Sequence, residues 1–254
     1  MGTLDDKLVW ITGAGTGIGL AGAKELAEAG ARVILSGRRQ AKLDEAVDVI
    51  AKQGGKATAL AVDVTKAKAV AEAAAKIAQE HGPLDILVNS AGGNVKERYW
   101  KNLTPEHWDN LVSTNLNSTF YCIQAVLPAM RRRKAGQIIN IASWAGRFES
   151  AMAGGGYSAA KHGVVVMTMS LNREECVNGI RATAICPGEV ATPILLDRPV
   201  PPGPDELARM LQPDDLGRTI RFVAEMPAHV CINEILMAPT WNRGFLGGKD
   251  LERR

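Results

Sequence analysis

The chain has 254 residues, of which 46% are hydrophobic and 22% are charged, a composition typical of one sizeable soluble domain or two small ones. Its 30 Lys and Arg residues outnumber its 27 Asp and Glu residues, giving a formal net charge of +3. Because the basic residues form no long block with interleaved aromatics, the charge does not support nucleic-acid binding. A small-molecule partner is favoured instead.

The N-terminal sequence and the cysteines indicate the compartment. No apolar run approaches the roughly 18 residues that span a bilayer, and Asp5, Asp6 and Lys7 stand where a signal peptide needs its apolar core. We therefore expect no membrane partner and a cytoplasmic location. Four cysteines without a CxxC pair favour buried free thiols, and four histidines without ligand spacing predict no metal. The cysteines are Cys122, Cys176, Cys186 and Cys231.

Short β-branched segments alternate with longer segments rich in Ala, Leu, Glu and Lys. Strands are predicted at 8–12, 32–36, 56–62, 84–88, 137–142, 180–186 and 234–238. Helices are predicted near 17–29, 40–53, 66–80, 105–133, 156–176 and 214–225. The early strands are apolar on both faces, as parallel strands covered by two helical layers are. The pattern predicts an α/β fold, a doubly wound (Rossmann) parallel sheet of about seven strands with helices on both faces.

No low-complexity linker divides these elements, so we expect one domain over residues 1–254. The Pro- and Gly-rich stretch Pro199–Pro204 is interpreted as a surface loop, within a substrate loop near 193–212. The most basic stretch, Arg131–Lys134, ends a predicted helix, where cations suit the negative end of the helix dipole. That interpretation is preferred to a phosphate-binding patch.

A glycine-rich turn follows the first predicted strand and precedes the first predicted helix. Its glycines, Gly13, Gly17 and Gly19, have the spacing GxxxGxG rather than GxGxxG. A glycine cluster alone often marks only a tight turn. At this position, however, backbone amides and the helix dipole favour the pyrophosphate of a dinucleotide.

The end of the second predicted strand bears on the choice of cofactor. Many dinucleotide folds have an acidic residue there for the adenosine ribose, whereas this chain has Arg38 and Arg39. An arginine can bind a 2′-phosphate with its planar fork. We therefore predict a preference for NADP, with NAD as the alternative. In a second interpretation, both arginines merely precede the next helix in solvent.

Tyr157 and Lys161 are four residues apart in a predicted helix and so share one face. A fixed cation within about 4 to 6 Å lowers a tyrosine pKa by roughly one to three units, which would make Tyr157 a usable proton donor and acceptor. The spacing YxxxK by itself is common on amphipathic helices. Ser143, at the end of the preceding strand, can polarise a carbonyl beside Tyr157, although strand-end serines are usually turn formers.

Taken together, these features resemble the short, single-domain branch of the short-chain dehydrogenase/reductase family, over roughly residues 6–240. The motifs are TGxxxGIG at Thr12–Gly19, Asp63-Val64, Asn89-Ser90-Ala91-Gly92, Asn115, Ser143, YxxxK at Tyr157 and Lys161, and Pro187-Gly188 with Thr192.

The resemblance implies a role for each catalytic residue. Tyr157 would protonate the carbonyl oxygen in reduction and remove the proton in oxidation, while Ser143 hydrogen-bonds that oxygen. Lys161 would lower the Tyr157 pKa and hold the nicotinamide ribose, and Asn115 would position a water for proton relay. The resemblance also implies direct hydride transfer to or from the nicotinamide.

The cofactor site is carried over in the same way. Asp63 and Val64 would contact adenine, Asn89 would brace the glycine-rich turn, and Val190 and Thr192 would hold the carboxamide. The full set of expected cofactor residues is Gly13, Thr16, Gly17, Ile18, Gly19, Arg38, Arg39, Asp63, Val64, Asn89, Ala91, Gly92, Tyr157, Lys161, Pro187, Gly188, Val190 and Thr192.

Three segments should set substrate choice: 93–101, 144–152 and 193–212. They contain aromatic residues together with Arg98 and Arg147, so a pocket that accepts an acidic substrate group is one hypothesis, beside the ordinary one that these arginines are solvated.

The prediction is an NADP-preferring oxidoreductase that interconverts a carbonyl and an alcohol on a small organic substrate. The alternative from another class is a non-catalytic dinucleotide-binding redox sensor or scaffold. The family resemblance also implies a homodimer or homotetramer that pairs through the helices predicted at 105–133 and 156–176.

Overall fold

The computed structural model describes residues 2–246, in which seven strands form one sheet. The predicted domain limits, residues 1–254, extend past this range, so Met1 and residues 247–254 lie outside the described residues. The strands are β1 (Leu8–Thr12), β2 (Arg32–Gly37), β3 (Lys56–Ala61), β4 (Ile86–Asn89), β5 (Gly136–Ile141), β6 (Ile180–Pro187) and β7 (Glu234–Met237). Their spatial order is β3-β2-β1-β4-β5-β6-β7, and every neighbouring pair is parallel.

Helices connect the strands on both sides of the sheet. They are α1 (Gly17–Glu28), α2 (Gln40–Lys52), α3 (Ala67–His81), α4 (Pro105–Val112), α5 (Ser118–Arg133), α6 (Gly155–Glu175), α7 (Pro204–Arg209) and α8 (Pro213–Ala224).

Strand β1 shows why both faces of the sheet are covered. Its side chains alternate between faces, and all five residues are buried. Val9 and Ile11 join one apolar cluster with residues of α1, α2 and α8. Leu8 and Trp10 join a second cluster with residues of α3 and α5. The predicted doubly wound parallel sheet with two helical layers is therefore confirmed.

The segment predicted as one helix over 105–133 contains a change of helical pitch. A single wider π-helical turn, Ser113–Asn117, joins α4 to α5. Such turns are rare and often occur at functional sites, because the extra residue redirects the side chains around it. Here the turn carries Asn115.

The segment predicted as a substrate loop has some helical structure of its own. A 3₁₀ turn covers Pro193–Asp197 and α7 covers Pro204–Arg209, each with proline at its start. Proline suits the first helical turn because its missing N–H has no partner there in any case. Residues 198–203 between them are non-helical, in agreement with the loop predicted at Pro199–Pro204.

All four cysteines are free, but the expectation that all are buried was wrong for two of them. Cys122 and Cys186 lie in the core on α5 and β6, whereas Cys176 and Cys231 lie exposed in connecting segments. Apolar neighbours in sequence do not ensure burial once the chain leaves a helix or strand. No helix within residues 2–246 is long and apolar enough to cross a membrane.

Candidate active site

A cavity of about 560 Å³ opens at the edge of the sheet where the parallel strands end. Its walls come from the segments that follow strands β1 to β6. Strands β2 and β3 are added on one side of β1, and the chain then crosses to add β4 on the other side. Ligands of open α/β sheets bind in the crevice that this change of side creates.

The glycine-rich turn between β1 and α1 forms one end of the cavity. Gly13 has a φ of +66°, and a Cβ added there would stand 2.8 Å from the backbone of Ala91. A Cβ at Gly19 would stand 2.4 Å from the carbonyl oxygen of Gly13. Thr16, the residue before α1, makes no side-chain hydrogen bond to the helix. The turn therefore brings the uncapped N-terminus of α1 to the cavity, as an anion site requires.

Basic residues after β2 line the same end of the cavity. Arg38 and Arg39 are exposed, and Lys42 on α2 also lines the wall, where its Nζ pairs with Glu45 at 2.6 Å. The two arginines thus lie where the sequence analysis expected a 2′-phosphate.

Asp63 and Val64 line the wall after β3. The Asp63 carboxylate accepts hydrogen bonds from the Thr65 backbone N–H at 3.0 Å and from the Thr65 hydroxyl at 2.8 Å. Burial alone would raise the pKa of Asp63, but these hydrogen bonds and the charges of Lys66 and Arg38 hold it below the ordinary value. Asp63 is therefore an ionised acceptor that is fixed in place by its own loop.

Ser143, Tyr157 and Lys161 meet at the other end of the cavity. Ser143 follows β5, and its hydroxyl is hydrogen-bonded to Tyr157 while accepting the Ala145 N–H at 3.1 Å. The Lys161 Nζ donates to the Ile141 carbonyl at 2.8 Å and lies 5.7 Å from the centre of the Tyr157 ring. A serine hydroxyl, a phenol and an ammonium thus share one small volume.

The predicted lowering of the Tyr157 pKa by Lys161 is wrong. Burial raises the pKa of Tyr157 above the ordinary value, against weaker opposing effects of the Ser143 hydrogen bond and the charges of Arg98 and Arg198. Lys161 is itself buried, which lowers its pKa to about 8. Its ammonium donates to the Ile141 carbonyl rather than to the phenol.

Asn115 lies behind the cavity wall rather than in it. Its side chain accepts the Gly93 N–H at 3.1 Å and donates to the carbonyls of Gly93 and Leu111, both at 2.9 Å. The buried amide therefore holds the loop after β4 in its conformation. Its predicted part in a proton relay stays a prediction.

Asn89 does not brace the glycine-rich turn, contrary to the sequence expectation. Its Nδ2 donates to the Oδ1 of Asn140 on the neighbouring strand at 2.9 Å. The hydroxyl of Thr12 instead links β1 to the loop after β4, because it accepts the N–H groups of Ser90 and Ala91, both at 3.2 Å. The sequence analysis did not predict this contact of Thr12. The signal was present, because Thr12 ends β1 beside the end of β4.

Most predicted site residues come together along this one cavity. Those that line it are Gly13, Thr16, Ile18, Gly19, Arg38, Arg39, Asp63, Val64, Ala91, Gly92, Ser143, Tyr157, Lys161, Pro187, Gly188, Val190 and Thr192. Gly17, Asn89 and Asn115 are not among the lining residues.

The substrate end contains charged residues that the sequence analysis missed. Glu189 is contacted by Arg198 at 2.7 Å and by the Nε of Arg243 at 2.8 Å, and Arg243 also pairs with Glu206 at 2.6 Å. Burial would raise the pKa of Glu189, but these arginines hold it below the ordinary value. No local pattern indicates such a cluster, because its members are brought together only by folding.

The two arginines proposed for an acidic substrate group have different positions. Arg147 pairs with Glu234 at 3.0 Å and is not among the lining residues, so its proposed role is wrong. Arg98 is buried and lines the cavity. Trp144, also in the wall, packs against Phe148 with ring centres 4.8 Å apart.

Comparison with known proteins gives relatives over nearly the whole chain. A family model described as short chain dehydrogenase matches residues 7–199. An uncharacterized oxidoreductase of Staphylococcus aureus (strain MRSA252) is 36% identical over 239 residues, which cover 94% of this chain and 100% of the relative. Another, from Staphylococcus saprophyticus, is 38% identical over 239 residues, which cover 93% of this chain and 98% of the relative.

Solved structures give the same picture. A metagenomic short-chain oxidoreductase in complex with NADP superposes with a TM-score of 0.81 and 31% identity, covering 94% of this chain and 100% of that one. A variant of actinorhodin polyketide ketoreductase with NADPH superposes with a TM-score of 0.82 and 32% identity. The match covers 93% of this chain and 97% of that one.

Proposed function

Because the chain belongs to the short-chain dehydrogenase family, a family of NAD(P)-dependent oxidoreductases, we propose that it interconverts a carbonyl and an alcohol on a small organic substrate and prefers NADP. The observation that carries the proposal is the meeting of Ser143, Tyr157 and Lys161 at one end of a cavity whose other end is a glycine-rich turn.

The cavity walls fit a dinucleotide. Gly13 and Gly19 let the β1–α1 turn pack closely against the Ala91 backbone and against itself, and this tight turn presents the N-terminus of α1 to the cavity, where a pyrophosphate would bind. Arg38 and Arg39 would bind a 2′-phosphate, which NADP has and NAD, the alternative cofactor, lacks. The NADP and NADPH complexes of the two structural relatives support this preference. When bound, the nicotinamide supplies or accepts the hydride.

Three residues of the chain would then handle the proton at the substrate oxygen. Tyr157 donates it in reduction and removes it in oxidation. Ser143, already hydrogen-bonded to Tyr157, holds the substrate oxygen beside the phenol. Lys161, whose Nζ lies 5.7 Å from the centre of the Tyr157 ring, would hold the nicotinamide ribose. Asn115 would position a relay water.

We further propose that residues 1–254 act as one domain, with residues 193–212 as the substrate loop. Lining residues on both sides of the Pro193–Asp197 turn support the loop assignment. A cytoplasmic location stays our proposal from the sequence. We also propose a homodimer or homotetramer that pairs through α5 and α6, since Phe120, Val166 and Met169 expose large apolar side chains on these helices.

The test is reduced-cofactor consumption on a broad ketone and aldehyde panel, with NADPH and NADH, for the wild-type protein and the Tyr157→Phe variant. We expect turnover that prefers NADPH and falls at least about a hundredfold in the variant, because the phenylalanine has no proton to give. Binding of NADPH, measured by fluorescence titration, should be nearly unchanged.

The same experiment separates the enzyme from the non-catalytic alternative. A redox sensor or scaffold would bind NADPH tightly and convert no compound of the panel. Unchanged turnover in the Tyr157→Phe variant would instead mean that another group handles the proton, which would refute the role of Tyr157.

A further inference from the structure

Arg98 is a buried arginine in the wall of the substrate end, with only 3% of its surface exposed. It lies in the loop between β4 and α4. Its guanidinium donates to three backbone carbonyls: Val95 at 2.7 Å, Met152 at 3.3 Å and Asp197 at 2.5 Å. Each oxygen belongs to one of the three segments expected to set substrate choice, 93–101, 144–152 and 193–212. One side chain therefore joins three walls of the pocket.

Among the salt bridges of residues 2–246 none joins Arg98 to a carboxylate within 4 Å. Asp197 contributes its backbone oxygen, while its carboxylate belongs to an exposed residue and acts on Arg98 only as a weaker charge that raises its pKa. The other arginines at this end differ, because Arg198 and Arg243 both contact the carboxylate of Glu189. A buried charge without a counter-ion is costly and therefore rare. Burial accordingly lowers the pKa of Arg98.

Two further cationic side chains near Arg98 add to the positive charge at this end of the cavity. Arg198 and Lys161 line the same end of the cavity, and the Lys161 ammonium donates to the neutral carbonyl of Ile141. The carboxylates in the wall here are Glu189, which two arginines share, and Glu149, which is exposed at the rim. The interior of the substrate end is thus electropositive beside Tyr157.

The cofactor does not account for this charge. Its phosphates would lie at the glycine-rich turn and at Arg38 and Arg39, the opposite end of the cavity from Tyr157. The nicotinamide end carries no negative group. The remaining molecule that can place a carboxylate in contact with the Arg98 guanidinium is the substrate.

We propose that the substrate carries a carboxylate, and that Arg98 is the residue that binds it. Three of the five guanidinium N–H groups hold the pocket walls, and two remain for the ligand. The contacts to three segments fix the guanidinium before the substrate arrives, so little conformational entropy is lost on binding. This inference rests on the proposed function, since it names the substrate class of the same site.

The first test needs only the wild-type protein. NADPH consumption is measured with the four ketone isomers 2-, 3-, 4- and 5-oxohexanoate and with their methyl esters. Each pair has the same carbonyl and chain and differs in charge. For at least one isomer we expect kcat/KM of the acid to exceed that of the ester by about tenfold to a hundredfold, the range of a charge-assisted hydrogen bond to a buried partner.

The second test uses variants of Arg98 and a matched arginine. Arg98→Met, which keeps the length and removes the charge, should bring the ratio of kcat/KM for acid and ester to about one. The ratio is the readout, because the loss of the wall hydrogen bonds affects both compounds alike. Arg98→Lys should restore part of the preference. Arg147→Met removes an arginine that pairs with Glu234 outside the cavity lining, and it should keep the full preference. Thermal unfolding of each variant verifies that it folds.

Failure of the inference and failure of the proposed function give different results. Turnover of ketones with no acid preference in the wild-type protein would overturn the role of Arg98 and leave the reaction intact. Calorimetric titration of acids and esters into the NADP⁺-loaded protein provides the other arm. Acid-selective binding without turnover would support the carboxylate site and refute the reaction on these compounds. Neither acid-selective binding nor acid-selective turnover would overturn the inference.

Discussion

Two residues at the centre of the site are held in protonation equilibria that differ from those in water. Lys161 is buried, its pKa is lowered to about 8, and its Nζ has the Ile141 carbonyl as a partner. Burial also raises the pKa of Tyr157, so the phenol is protonated at neutral pH. A protonated phenol is the form required for carbonyl reduction.

Lys161 is expected to lower the stability of the fold in return for its role. The pKa of Lys161 is about 8 in the folded protein against an ordinary value of 10.5, so the unfolded chain binds more protons between these two pH values. The Lys161 ammonium therefore lowers the free energy of unfolding below about pH 8, and this free energy rises as the pH increases toward 10.5. The shift is equivalent to roughly 3 kcal/mol at 1.36 kcal/mol per unit.

We expect Lys161→Met to raise the free energy of unfolding at pH 7 by about 1 to 2 kcal/mol, after allowance for the lost hydrogen bond, and to remove activity. Urea unfolding without cofactor, at equal protein concentration and at pH 7, 8 and 9, measures the difference between the two proteins. The gain should shrink as the pH rises. A difference that is the same at every pH would contradict the buried-ammonium explanation.

The two arginines after β2 carry the prediction on cofactor choice. Changing both Arg38 and Arg39 to Ala should weaken NADPH binding by about tenfold to a hundredfold, because only the 2′-phosphate loses charged partners, while NADH binding changes little. Fluorescence titration with each cofactor gives the dissociation constants.

A double variant of the exposed residues Lys52 and Lys56, both changed to Ala, is the matched control. It removes the same charge from the end of α2 and the start of β3, outside the cavity lining. Equal losses for NADPH and NADH in the arginine variant would argue against phosphate recognition.

At the scale of elements, the site depends on how closely chain segments approach one another. The β1–α1 turn touches the loop after β4, with Gly13 against Ala91. The π-helical turn between α4 and α5 places Asn115 against Gly93 of that same loop. Two connections from different parts of the chain therefore shape one wall of the cavity.

Gly19→Ala should disrupt the β1–α1 turn, because its Cβ would stand 2.4 Å from the Gly13 oxygen. We expect NADPH binding to weaken by at least about tenfold and the free energy of unfolding to fall by about 1 to 3 kcal/mol, the cost of overpacking. Gly203→Ala is the control, since a Cβ there meets no atom within 4 Å. An NADPH affinity equal to that of the wild-type protein in Gly19→Ala would contradict this prediction, because it would mean that the turn accommodates the added methyl group.

At the scale of the whole molecule, the sheet buries its two faces but leaves apolar side chains on α5 and α6. Val166 and Met169 are 64% and 55% exposed, and Phe120 is 46% exposed. Scattered exposed apolar residues are normal on a monomer. Three large ones on two helices that the family resemblance associates with pairing favour an interface.

Sedimentation should give a dimer or tetramer for the wild-type protein. Changing Val166 and Met169 together to Glu should produce a smaller species, because four or more buried carboxylates in a symmetric interface would lack partners. Val177→Glu is the control, since Val177 is 77% exposed in the turn after α6. A monomeric wild-type protein, or an unchanged mass in the double variant, would contradict the proposed pairing.

Local sequence patterns were enough to predict the features that have a short-range cause. Apolar β-branched segments and helical periods predicted every strand and the principal helices, because each pattern has one period and one buried face. The spacing of Tyr157 and Lys161 predicted their common face on one helix, and the position of Gly13 and Gly19 predicted the turn. Strands of a parallel sheet all end at one edge, so the cavity was predictable from the same pattern.

Features that depend on burial and on contacts between distant residues arise when the whole chain folds, and the sequence did not predict them. The direction of the Tyr157 pKa shift and the depressed pKa of Lys161 follow from solvent exclusion, which no local pattern measures. Asn89 turned to Asn140 because β4 and β5 are neighbours in the sheet. Arg98 meets carbonyls 54 and 99 residues away in the chain, so its lack of a carboxylate partner becomes visible only when the chain has folded around it.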